Sequence, residues 1–207
     1  MAPKIVDKEE KKSQIRNVAM TLFGSKGVQQ TTMAEIANAA GIGKGTIYEY
    51  WTSKDEIFVS SFNHFFEVMS QDIITALSHS ADPVDKIKIL ISESFRSINK
   101  AGHEFTCILM EFWAESIRRH DDSLVTEIDM IGIYHEYRTL LAGFIKEGIK
   151  QGKIIKTDPN ALASLLIGTL DGISLQWFFD KEAVHMKNVE KVIMETFING
   201  FLIPEEK

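Results

Sequence analysis

Two groups of residues in this chain have types and spacings that could do chemistry. His103, Cys107 and Glu111 recur at every fourth position, which puts an imidazole, a thiol and a carboxylate on one face of a helix. Such a trio could begin a metal site, or a nucleophile with its base. A fourth ligand has no evident position, and a neutral cysteine is commonly a small core residue. No metal, no cofactor and no catalytic residue are therefore expected. The second group is Lys44, Gly45, Thr46, Tyr48 and Tyr50. A lysine can donate to guanine, a threonine methyl can pack on thymine, and tyrosines reach phosphate oxygens. Gly45 would let the backbone come close to a partner. This is the chemistry of contact with duplex DNA.

Such contacts work only if a framework holds them outward. The stretch Thr32 to Lys54, TMAEIANAAGIGKGTIYEYWTSK, supplies one. Met33, Ile36, Ala37 and Ala40 fall at helical spacing, Gly41 can end that helix in a left-handed conformation, and a second short helix is expected from Lys44 to Trp51. Ile47 and Trp51, four apart, would anchor the second helix and leave the polar group on its outer side. Two short helices across a glycine turn are the sequence form of a helix-turn-helix, whose second helix enters the major groove.

The segment GIGKGTIYEYWTSKDEIF resembles the DNA-reading part of the TetR family of bacterial and archaeal transcriptional regulators. The likeness rests on a small-residue turn, Lys-Gly-Thr, an aliphatic residue, Tyr, an aromatic pair and a Lys opening the next helix. It extends upstream through Ile15–Phe23 and Thr31–Gly41, about the first quarter of the chain. Trp51 stands where the family more often has Phe. The resemblance implies that Thr31, Thr32, Lys44, Gly45, Thr46, Tyr48, Tyr50 and Lys54 meet DNA. It also implies an all-α fold in two domains. Residues 1–53 would form a three-helix DNA-binding head, and 54–207 a larger body for effector binding and dimerisation.

Composition is consistent with that division. The formal charge of −6 is unevenly spread: residues 1–60 carry eight Lys/Arg against seven Asp/Glu, and the acidic excess lies beyond them. A head of +1 is a weak electrostatic footprint, so affinity must come from placed contacts and dimeric reading. The arm lysines Lys4, Lys8, Lys11 and Lys12 alternate with Asp7, Glu9 and Glu10, the pattern of a solvated helix start. One cysteine excludes an intrachain disulfide, the N-terminus has no apolar signal core, and no apolar run of about 18 residues is evident. A cytoplasmic location without membrane contact is expected.

The helix boundaries are marked by caps. Asp7 with Glu10, Thr32 with Glu35, and Ser53 with Glu56 have capping-box spacing, and Gly27 closes the first helix. Asp82-Pro83 and Asp158-Pro159 each place an acid before a proline at a helix start, Asp121 is a further cap, and Gly152 a stop. Body helices are expected over 83–101, 103–119, 122–151, 159–179 and 186–202, after a long helix from Ser53; the total is about nine helices and no strand.

In 159–179, apolar residues surround almost the whole helix, and a helix apolar all round is buried on more than one side. Ser164, Gly168 and Gly172 add a small-residue ridge. The resemblance implies dimerisation through the last two helices, with Leu162, Leu165, Gly168, Thr169, Gly172, Ile173, Val189, Ile193, Phe197 and Phe201 at the interface. Both helices at the centre of a monomer is the alternative. The family further implies a small-molecule effector in the body. Phe62, Phe66, Met69, Phe95, Met110, Trp113, Tyr134, Tyr137 and Phe178 are the candidate lining, for an apolar or amphipathic ligand; plain core is the competing role for each.

The expected function is a homodimeric, ligand-responsive repressor of a pseudo-palindromic operator, not an enzyme. An activator, a ligand-independent regulator, an interaction module that no longer binds DNA, and an enzyme built on His103, Cys107 and Glu111 stay open beside it.

Overall fold

In the computed structural model the described residues are 8–118 and 128–204, side chains excepted at 101, 103–105, 107, 108, 111, 114–118 and 197. Among them the fold is all-α, as expected. Eight α-helices follow one another: α1 (Lys8–Lys26), α2 (Met33–Ala39), α3 (Lys44–Ile47), α4 (Lys54–Leu77), α5 (Pro83–Arg118), α6 (Met130–Lys150), α7 (Pro159–Phe179) and α8 (Met186–Val192). The chain continues from α8 through a widened turn at Ile193–Ile198 and a tight one at Asn199–Phe201. The last helix therefore does not run uniformly to 202.

The caps explain most boundaries. Asp82 accepts from the N–H groups of Val84 and Asp85, and Asp158 from those of Asn160 and Ala161, each with proline opening the helix. The expected break near residue 102 lies inside α5, where Gly102 departs from helix with φ 70° and ψ −165°. The helix expected from 122 is different. Its described part is α6, and its cap is Asp129, whose carboxylate accepts from Gly132 N–H at 2.8 Å. Asp121 and Asp7 lie outside the described residues. Where no strand was expected, Ile154 and Leu202 form one isolated antiparallel bridge.

The chain divides into two compact units that are not the expected 1–53 and 54–207. The first runs to Phe66 and resumes from Ala101 to Ile128; the second holds Glu67–Lys100 and the chain from Asp129. In the first, Ile15, Ala19 and Phe23 of α1 pack inward with Ile36, Ile47, Trp51, Ile57 and Phe58. Phe23 meets Phe58 edge-on at 5.8 Å, and Phe62 lies 5.1 Å from Phe112 of α5. Edge and tilted ring pairs are the favoured aromatic geometry.

The second unit is built on α6 against α7. Leu141 and Ile145 face Ala163, Leu166, Ile167 and Leu170, with Ile87, Ile91 and Phe95 of α5 in the same core. Gly148 permits the turn after α6 to fold back, since a Cβ there would sit 2.5 Å from Ile154 Cδ1. By length and composition α7 is apolar enough to cross a membrane, which inspection for an uninterrupted apolar run did not anticipate. It is also a helix whose inner face enters this core, the other setting in which such a composition occurs.

Candidate nucleic-acid interface

The outward group around residue 46 is positioned from below by two buried anchors. α2 ends where Gly41 takes φ 67°, a conformation that a side-chain-bearing residue rarely adopts. Its successor Ile42 donates its N–H to Ala37 O at 3.0 Å, so the turn closes on α2 and launches α3. Ile47 is wholly buried and Trp51 is 5% exposed, which seats the segment on the α1–α4 core. Lys44, Gly45 and Tyr48 are exposed on the other side, with Tyr48 at 49%, and Thr46 and Tyr50 are half-buried. A Cβ added to Gly45 would meet nothing within 4 Å, so the surface there is open.

The α-helical part is shorter than the expected Lys44–Trp51. After Ile47, the N–H groups of Tyr48, Glu49 and Tyr50 bond three residues back rather than four, tightening the chain into turns. Trp51 N–H recovers the four-residue bond, to Ile47 O at 3.0 Å. Lys12 of α1 places its ammonium 5.2 Å from the centre of the Trp51 ring. The indole Nε1 is buried and has no hydrogen-bond partner among the described residues.

Three residues that the resemblance implies meet DNA have partners within the protein. Thr31 is buried, and its hydroxyl donates to Gly27 O at 2.8 Å, so it packs the loop rather than facing a ligand. Lys54 donates from Nζ to the carbonyls of Val28 at 2.8 Å and Gln29 at 3.0 Å, tying the loop before α2 to the start of α4. Thr32 is exposed as expected, but its polar groups are engaged. Its hydroxyl accepts from Glu35 N–H at 3.3 Å and donates to Glu35 Oε2 at 2.8 Å, and its N–H donates to the same oxygen at 2.9 Å. The capping box is thus complete.

Glu35 also takes the ammonium of Lys26 at 2.5 Å. The Lys26 bond, then those from Thr32, hold its carboxyl at about 2, well below the ordinary 4.5. The box at α4 is shifted by one residue. Ser53 Oγ accepts from Glu56 N–H at 3.0 Å, but the Glu56 carboxylate reaches back to the hydroxyl and N–H of Thr52, both at 2.7 Å. Those bonds hold Glu56 below the usual carboxylate range. The pair of Lys26 with Glu35, nine positions apart, has no local sequence signal.

The candidate effector residues are divided between the two units. Phe62, Phe66, Met110 and Trp113 belong to the first unit; Met69, Phe95, Tyr134, Tyr137 and Phe178 to the second. Phe62, Met69 and Phe95 are buried apolar residues of their own units, placed as the plain-core role would have them. Tyr134 and Tyr137 are the chemically distinctive members. Tyr134 donates its phenol to Asp171 Oδ2 at 3.0 Å, and Tyr137 shares a 2.7 Å bond with Ser94 Oγ. Burial raises the pKa of both phenols, and that of the Asp171 carboxyl. A cleft of about 560 Å³ in the second unit is lined by residues including Asp82, Lys88, Lys153 and Leu202, and by none of the nine candidates.

Of the expected interface residues, Leu165 is 55% exposed and Gly168 is exposed, with Leu162, Thr169, Gly172, Ile173 and Val189 half-buried. Ile193 and Phe201 are buried in the core of their own unit, which takes them off its surface. Val192 and Phe179, outside that expected set, are also apolar and exposed on these helices, at 57% and 75%. The side chains of Phe197, His103, Cys107 and Glu111 lie outside those described. Among the described residues, no group of three His, Cys, Asp or Glu could hold a metal ion.

Comparison with known proteins divides the chain in sequence near residue 60. Residues 15–60 match the family described as bacterial regulatory proteins, tetR family, and residues 58–200 match the YsiA-like protein C-terminal region. The fatty acid metabolism regulator protein of Bacillus subtilis (strain 168) is 26% identical over 198 residues, covering 93% of this chain and 96% of that one. The HTH-type transcriptional repressor KstR2 of Rhodococcus jostii (strain RHA1) is 21% identical, covering 95% and 94%. Among solved structures, the regulator FadR from Bacillus subtilis in complex with stearoyl-CoA superposes with a TM-score of 0.73. It is 23% identical and covers 91% of this chain and 98% of that one.

Proposed function

This chain belongs to the TetR family of bacterial regulatory proteins and is a DNA-binding transcriptional regulator; from that premise we propose that it is a homodimeric repressor released from a palindromic operator by an acyl or similarly amphipathic effector. The observation that carries the DNA side is the two-sidedness of residues 44–51. Ile47 and Trp51 are buried while Lys44, Gly45 and Tyr48 are exposed, so the segment is a rigid rail with its polar groups outward. In this reading Lys44 and Thr46 meet base edges, Gly45 brings the backbone close, and Tyr48 and Tyr50 bond phosphate. Thr32 and Lys54 act by holding the head in shape.

Dimerisation would use the exposed side of α7 and α8. Leu165, Gly168, Phe179 and Val192 support this, because apolar groups outward on two consecutive helices are the form of a self-complementary patch. A two-fold dimer reads two half-sites about one helical turn apart. For the effector, support comes from the fatty acid metabolism regulator of Bacillus subtilis and from the stearoyl-CoA bound to its structural relative. An effector shifts the dimer between states by no more than its differential affinity for them.

The test is titration of an operator-bearing duplex with the protein in the absence and presence of stearoyl-CoA. Release by stearoyl-CoA but not by free coenzyme A is expected. Binding that ignores both removes the acyl effector from the account while leaving the DNA function standing.

A further inference from the structure

The charge on Glu35 is not needed for the cap it makes. A capping box asks the third helical residue for an acceptor to cover the N-cap N–H, and glutamine serves as well as glutamate. Nor does an internal partner demand the charge, since the Glu35 side chain is 47% exposed and lies at the surface. What the charge does is hold Lys26, whose ammonium sits 2.5 Å from Oε1 while Oε2 is occupied by Thr32. Lys54 is committed inward as well, to two backbone carbonyls. Of the cations flanking the helix-turn-helix, Lys44 is exposed, and two others are turned toward the protein itself.

The first helix of a helix-turn-helix crosses the phosphate backbone, and each phosphate that a cation neutralises adds about 0.9 to the salt dependence of binding. We infer that Glu35 is a built-in brake on DNA affinity: its carboxylate neutralises Lys26 and so removes one phosphate-binding cation from the head. This rests on the DNA-binding reading and adds to it a residue that sets affinity without touching DNA.

The experiment uses the full chain and a mixed-sequence duplex of about thirty base pairs, titrated by anisotropy from 50 to 300 mM salt, a range over which charge contacts dominate non-specific binding. Glu35→Gln keeps the cap and releases Lys26. The slope of log affinity against log salt is expected to steepen by about 0.9, with binding about eightfold tighter at 0.1 M salt relative to a 1 M reference. In a Lys26→Gln background the same substitution should leave the slope unchanged. An unchanged slope in folded Glu35→Gln protein overturns the inference, as does an equal steepening when Lys26 is absent. A Glu35→Gln head that fails to fold, by circular dichroism, overturns it too, because the charge would then be structural. Wild-type protein that binds no duplex even at 50 mM salt instead defeats the DNA-binding reading, an outcome distinct from all of these.

Discussion

The ammonium of Lys54, in the first turn of α4, donates to Val28 O at 2.8 Å across 26 positions of sequence. With the second bond, to Gln29 O, it clasps the loop between α1 and α2 against the next long helix. Lys54→Met retains the aliphatic stem and removes the donors. Because the side chain is half-exposed, a loss of about 1–2 kcal/mol in head stability is expected, toward the low end for bonds to a charged group. Chemical denaturation measures it; an unaltered midpoint would mean that the clasp carries no weight and that the lysine is available to phosphate.

Tyr48 and its neighbour Ile47 separate contact from packing. Tyr48→Ala should weaken duplex binding at least about tenfold, a loss near 1.4 kcal/mol, with the thermal midpoint unmoved. Ile47→Ala should do the reverse first, lowering stability by about 2–5 kcal/mol through the cavity it leaves. If Tyr48→Ala binds as the wild type does, the outward face of α3 is not the reading face.

The Thr32–Glu35 cap has a defined pH window. The Glu35 carboxyl is held at about 2 in the folded head against an ordinary 4.5. A depressed pKa contributes stability that is complete above about 4.5 and is lost as pH falls toward 2. The thermal midpoint of the wild type should therefore fall more steeply over that interval than that of Glu35→Gln, which has no such proton to bind. Parallel curves would show that the bonds to Lys26 and Thr32 do not persist in solution.

Asp171 should behave in the opposite sense. Burial raises its pKa, with the Tyr134 bond only partly offsetting this. The ionised carboxyl thus destabilises the fold, and the penalty develops as pH rises above the ordinary 3.8. Asp171→Asn, which can still accept from Tyr134, should raise the melting midpoint at pH 7.5 and leave it unchanged near pH 3. A lower midpoint at pH 7.5 would mean that the negative charge has a stabilising partner.

What was legible in the sequence is what local chemistry controls. The Thr32–Glu35 box, the Asp-Pro starts of α5 and α7, the reversal at Gly41 and the anchors Ile47 and Trp51 are each set by residues within four positions of one another. What escaped depends on partners remote in sequence. Lys54 looks like a phosphate ligand until Val28 is placed beside it, and Lys26 has no assigned use until Glu35 is. Ile193 and Phe201 have interface periodicity, but both are buried in the core of their own unit, and the regular helical period ends where the widened turn begins at Ile193. Helical spacing names a face only while the helix keeps one period.

The central claim is that residues 44–50 read a palindromic DNA site. Selection of bound duplexes from fragmented source-genome DNA at physiological salt, with Tyr48→Ala protein in parallel, tests it directly. Enrichment of one palindromic sequence by the wild type alone is the predicted result, and its neighbouring genes would indicate the effector's chemistry. Equal enrichment by both proteins, or a selected sequence without two-fold symmetry, would contradict it.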